Sequence, residues 1–167
     1  KESFQKAIRS LEIDRYGLGS DGNLKLEAAI HRQPLFLQRD LLETGLRTPR
    51  DGRIFYVKLA LKLGWAVERV NEITKIDPWF LYQLEELEKK KKEFVDDARL
   101  NGLTKSNVTS MKKLGYSDRQ LAYLIDAENL SRIYEKGPEF QKEYSTVIKK
   151  REASVRDFRK TNAIFPG

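Results

Sequence analysis

The sequence contains no cysteine, which excludes disulfides and thiolate metal sites. It has one histidine, His31, set in a polar stretch, so little is available for imidazole chemistry. Only five prolines and ten glycines interrupt 167 residues. No apolar run reaches the roughly eighteen residues of a transmembrane helix. Strand-length runs of β-branched residues are scarce. What the chain has in quantity is charge: 34% of residues are charged, with 32 basic against 25 acidic and a net charge of +7. That excess permits an acidic partner, nucleic acid included. The two signs are interspersed, however, as on a solvated helical surface. Abundant Leu, Lys, Glu, Arg and Gln predict an all-α fold, and 40% hydrophobic residues suffice for a core; the length suits one domain over residues 1–167, or two small helical ones.

Read along the chain, the spacing predicts seven to nine helices in a compact, orthogonal arrangement. Phe4, Ala7, Ile8 and Leu11 share one helical face between Ser3 and Ile13. "YGLGSDGN" is a loop, and Leu24 to His31 a short helix. Pro34 suits the first turn of "PLFLQRDLLETG", with Gly45 as its expected stop. "RIFYVKLALKL", Arg53 to Leu63, is apolar on more than one side and should be deeply buried. Asp77 is an expected N-cap with Pro78 in the first helical position. That helix should run to about Asp97 with Phe80, Leu84, Leu87 and Phe94 toward the core. A long last helix should run from Pro138 to about Thr161.

One pattern occurs twice. "KLGWAVERV" (Lys62 to Val70) and "KLGYSDRQL" (Lys113 to Leu121) both read Lys-Leu-Gly-aromatic. In each, glycine closes one helix, the aromatic plugs the gap, and the next helix begins. In the second, Ser117 is an expected N-cap with Gln120 completing a capping box. Two copies are too few for a solenoid; they predict one helix-turn-helix corner used twice.

Tests for chemistry find nothing sharp. His31 has no partners at metal-ligand spacing. Asp96-Asp97 and Glu85-Glu86 would need distant help to hold a cation and read as solvated faces. "GLGSDG" lacks the Lys-Ser/Thr of a phosphate loop. "EKKKKEF" has glutamates spaced to pair with its lysines. Ser117 to Gly137 has the outline of a helix-turn-helix nucleic-acid reader, with Gln120 and Arg132 as groove-facing candidates. Asp126 and Glu128 oppose that reading, because they stand where phosphates would approach. Phe55, Tyr56, Trp65, Trp79, Phe80 and Tyr116 are therefore expected to pack a core or an inter-domain contact; an aromatic ligand platform at Trp79 and Phe80 is the sharper alternative.

Several stretches resemble, in order, the central oligomerisation domain of the carbamoyl phosphate synthetase large subunit. They are "KAIRSLEI", "RIFYVKLALKLG", "NEITKIDPWFLYQLEEL", "KKLGYSDRQLA" and "VRDFRKTNAIFP". Ile73 to Leu81 is the most specific, and Arg9 to Glu12 the next. The resemblance implies an all-helical, non-catalytic connector, excised from a cytoplasmic multidomain ATP-dependent ligase. The parent enzyme would make carbamoyl phosphate from bicarbonate, glutamine-derived ammonia and two ATP, for arginine and pyrimidine synthesis. Implied partners are the flanking ATP-grasp domains, other large subunits and the glutaminase small subunit. The parent's ATP, Mg or Mn, and K sites would lie outside these residues, so the resemblance implies no catalytic, cofactor or metal residue here. The chain departs from the family in an insertion near Tyr134 to Lys150.

Overall fold

The computed structural model describes residues 1–11, 13, 15–126 and 138–165, side chains of 138–143 apart. The fold is all-α. Among the described residues there are nine helices and no strand: α1 (Glu2–Ser10), α2 (Lys25–His31), α3 (Leu35–Arg47), α4 (Arg53–Lys62), α5 (Val67–Thr74), α6 (Pro78–Asn101), α7 (Lys105–Lys113), α8 (Asp118–Ile125) and α9 (Pro138–Thr161). The start and end expected for the last helix coincide with α9. The chain divides into two compact units, Asn23–Lys89 and Lys1–Gly22 with Lys90–Gly167.

In the unit Asn23–Lys89, α3 packs on α2, α4 and α5, and α4 also packs on α2 and α5. The apolar character of α4 on several sides explains its burial: Val57, Lys58, Leu59, Ala60 and Leu61 are consecutively buried. Leu42, Leu46, Val70, Leu81 and Leu87 are also fully covered. Gly45 does not stop α3, which continues to Arg47. Its role is close approach: a methyl group at Gly45 would overlap the Tyr56 ring. Absence of a side chain lets α3 and α4 meet there.

In the other unit, α8 packs on α9. Leu121 and Ala122 of α8 and Ile148 and Val155 of α9 are buried with Ile8, Phe94, Val108 and Met111. The expected face of α1 is corrected. Ala7 and Leu11 are exposed, whereas Gln5 and Ile8 are the buried residues. Gln5 goes inside because its Oε1 accepts from the Leu18 backbone N–H at 2.7 Å; a buried amide needs such a partner.

The repeated corners have one geometry. The Gly64 N–H donates to Leu61 O at 3.0 Å, and the Trp65 N–H to Ala60 O at 3.0 Å. In the second, the Gly115 N–H donates to Lys112 O at 2.9 Å and the Tyr116 N–H to Met111 O at 3.1 Å. Both glycines have positive φ, 82° and 86°. These are Schellman ends, in which two otherwise orphan carbonyls are satisfied by the turning chain. The end of α9 repeats the pattern through Ala163 and Ile164, with Ala163 at φ 52°.

Candidate functional site

Buried charge is the first place to look for chemistry. Lys112 Nζ donates to Tyr116 O at 2.8 Å and to Asp118 Oδ1 at 2.9 Å. Arg159 reaches Asp118 Oδ2 at 3.3 Å and donates to Ile164 O at 3.0 Å. Burial pulls the Lys112 ammonium below its ordinary pKa, against the opposing pull of Asp118. Two of these acceptors are carbonyls beyond helix ends, where cations are favoured. The group ties the second corner to the end of α9. A second pair, Lys58 and Glu27, meets at 2.8 Å inside the other unit. Burial pushes the Glu27 carboxyl up, but the Lys58 ammonium and its hydrogen bond hold it below the usual carboxylate range.

His31 is exposed in the last turn of α2. Among the described residues, no group of three or more His, Asp or Glu side chains converges. No described helix is long and apolar enough to cross a membrane.

The nucleic-acid reading fails at Gln120. Its side chain is fully buried, donating from Nε2 to Gly19 O at 2.9 Å and accepting from the Ser117 N–H at 3.0 Å. It closes a capping box with Ser117, whose Oγ accepts from the Gln120 N–H. A residue committed to capping and to the 17–22 loop cannot read a groove. Arg132, and the whole of the would-be reading helix, lie outside the described residues.

The aromatic residues separate by environment. Tyr116 is buried in the second corner. Phe55, Tyr56 and Trp65 are half-buried. The Arg50 guanidinium lies 5.3 Å from the Tyr56 ring centre, and that of Arg39 lies 5.9 Å from the Trp65 ring. Trp79 and Phe80, expected to pack a core or an inter-domain contact, are 62% and 58% exposed, so neither is part of the core of this structure. The reason lies in their fixed position. The Asp77 Oδ1 accepts from the Trp79 N–H at 2.8 Å, and α6 starts at Pro78. Leu81 and Leu84 face the core, so the helical period turns Trp79 outward; Phe80 lies on the face of Leu84 and Leu87 but stands in the first turn, one turn before that face is covered. The two rings pack edge to face at 4.9 Å between centres. Tyr82, also exposed, donates its hydroxyl to Glu68 at 2.7 Å.

A second exposed apolar feature opens α3. Leu35 is 83% and Phe36 72% exposed, with Leu41 also exposed. Beside them Leu35, Gln38, Arg39, Leu42, Leu63, Trp65 and Arg69 line a groove of about 410 Å³. Nothing in the sequence pattern singled out this groove; only the fold of the first corner brings Leu63 and Trp65 to α3.

Exposed apolar surface without convergent catalytic groups is the mark of a contact surface. Residues 1–163 match the family described as the carbamoyl-phosphate synthetase large chain, oligomerisation domain. The chain belongs to that family. The carbamoyl phosphate synthase large chain of Archaeoglobus fulgidus is 40% identical over 129 residues, 75% of this chain and 11% of the relative. That of a Synechocystis species is 39% identical over 137 residues, 81% of this chain and 12% of the relative. The large chain, N-terminal section, of Aquifex aeolicus is 38% identical over 122 residues, 73% of this chain and 19% of the relative. This carbamoyl phosphate synthase oligomerisation domain thus spans less than a fifth of the length of these relatives. No comparison supports a nucleic-acid function.

Proposed function

We propose that the chain is the helical connector of a cytoplasmic carbamoyl phosphate synthase large chain. It stands between two ATP-grasp halves and brings copies of the large chain together. The parent activity is ATP-dependent formation of carbamoyl phosphate from bicarbonate and glutamine-derived ammonia, with a glutaminase small subunit as supplier. The family match over residues 1–163 carries this reading. The small share of each relative that the chain covers supports a connecting role within a longer protein. So does the placement of exposed apolar groups on a frame of satisfied helix ends. Trp79 and Phe80 are assigned to the contact with an adjoining synthetic half; a rigid, exposed aromatic pair fits such a contact because each ring covers roughly 150–250 Å² when buried.

The test is made in the full-length protein with Trp79→Ala and Phe80→Ala together. ATP hydrolysed per carbamoyl phosphate formed should rise, because the two halves no longer hold their registration, while circular dichroism stays that of the parent. An unchanged ratio and unchanged thermal unfolding of the synthetic halves would remove the assignment.

A further inference from the structure

An aspartate or asparagine followed by glycine can close a ring on its own backbone, because glycine has no Cβ to hinder the approach. The chain holds three such pairs: Asp21-Gly22, Asp51-Gly52 and Asn101-Gly102. The fold treats them differently. Asp21 is buried and paired with Arg15 at 2.8 Å, and Gly22 lies against the Tyr123 ring. At the end of α6 both reacting groups are occupied. Asn101 Nδ2 donates to Asp97 Oδ1 at 2.7 Å, and the Gly102 N–H donates to Ala98 O at 3.0 Å. Asp51-Gly52, between α3 and α4, has neither restraint. From this contrast we infer that Asp51-Gly52 is a modification site, where the folded chain converts aspartate to isoaspartate and so presents a substrate for carboxyl methylation.

Residues 47–51 are all exposed. The Arg53 N–H donates to Arg50 O at 2.9 Å and closes the turn around the pair. Among the described residues the Gly52 N–H has no acceptor, and the Asp51 carboxylate has no ion pair or hydrogen bond. The neighbouring guanidiniums are engaged elsewhere. Arg50 donates to the Tyr56 hydroxyl at 3.0 Å, and Arg53 reaches Thr74 O at 3.5 Å. A methyl group at Gly52 would meet nothing within 4 Å, so the space around the turn is open to water. Exposed turns of this kind open locally without unfolding the helices they join. In the reaction the Gly52 nitrogen attacks Asp51 Cγ. A C–N bond forms, and one carboxyl oxygen leaves as water with the amide and carboxyl protons. A second water opens the succinimide. Breaking the new bond restores aspartate. Breaking the original peptide bond leaves isoaspartate, with the chain running through Cγ and the α-carboxylate free. That carboxylate accepts a methyl group from the sulfonium of S-adenosylmethionine, which departs as the thioether. Attack of the Gly52 nitrogen on the ester, with loss of methanol, closes the succinimide again.

The full-length protein is aged at neutral pH, and isoaspartate is located by electron-transfer fragmentation of its peptides. Methyl transfer from labelled S-adenosylmethionine by an isoaspartyl carboxyl methyltransferase is the second readout. Isoaspartate should accumulate at position 51 ahead of positions 21 and 101. Gly52→Ala, which fits the open space at a φ of −74°, should lose both signals at position 51 with unchanged circular dichroism. Asp51→Asn places the same Asn-Gly pair in this turn and at the end of α6. In the folded variant, position 51 should react about tenfold or more faster than position 101, which must first give up two hydrogen bonds. In urea the two positions should react alike. Isoaspartate appearing first at 21 or 101, none at 51, or a signal kept by Gly52→Ala overturns the inference. So do equal rates in folded Asp51→Asn, or a difference of the same size that survives in urea. None of these outcomes touches the assembly role proposed above.

Discussion

Trp79 and Leu81 lie two residues apart on α6 in opposite surroundings, and their substitutions should separate cleanly. Leu81→Ala removes a fully covered side chain and should cost roughly 2–5 kcal/mol of unfolding free energy in urea melts. Trp79→Ala, at a largely exposed position, should change it by less than about 0.5 kcal/mol. Equal losses would mean that Trp79 is covered. Identity and position of the aromatic pair were legible in the sequence, because Asp-Pro announces a helix start. Its exposure was not. An exposed aromatic and a core aromatic look alike in a one-dimensional pattern: Trp79 points away from Leu81 and Leu84, whereas Phe80 shares their side and is exposed because the cover begins one turn later. Gln5 shows the converse: a polar residue is taken inside because a loop amide thirteen residues away meets it, and no local spacing announces that.

At the scale of elements, the close crossing of α3 and α4 rests on Gly45. Gly45→Ala forces the Tyr56 ring aside, and overpacking of this kind should cost about 1–3 kcal/mol despite the better helix propensity of alanine. Tyr56→Ala in the same chain should recover most of that loss, giving a coupling of opposite sign in a double-mutant cycle. Additive losses would show that the two residues do not share the crossing. The sequence placed α4, α6 and α9 and both glycine corners well, since Gly, Pro and Asp act through local backbone geometry. It missed two ends that use less characteristic residues. α5 closes on Lys75 at φ 59°, in a left-handed conformation that glycine usually supplies. α7 opens with a capping box of Thr104 and Asn107, where asparagine stands in the place usual for Glu or Gln. The groove beside α3 was illegible for a different reason. It is assembled from α3 and the following corner, and its residues are scattered along the chain.

Across the whole molecule, buried charge sets the response to acid. The Glu27 carboxyl is held below the usual carboxylate range by Lys58. A depressed folded-state value means that this pair contributes stability above the unfolded-state pKa, and that the contribution is lost as pH falls through the folded-state value. Urea midpoints should therefore hold near neutrality and decline below about pH 4.3. Glu27→Gln should be less stable at pH 7 but show a shallower acid decline. An unaltered acid slope would indicate that Glu27 does not report on folding.

The loop at 17–22 is anchored differently. Leu18 donates to Gln5, and Gln120 donates to Gly19, through neutral amides, while Asp21 of the same loop forms a buried ion pair with Arg15 at 2.8 Å. Added salt does not act on the amide contacts directly, and it screens a buried ion pair only weakly. After correction for the intrinsic chemical rate, exchange of the single Leu18 proton should act as an internal clock for cooperative opening of its unit. It should keep the same time across ionic strengths that unsettle the exposed ion pairs.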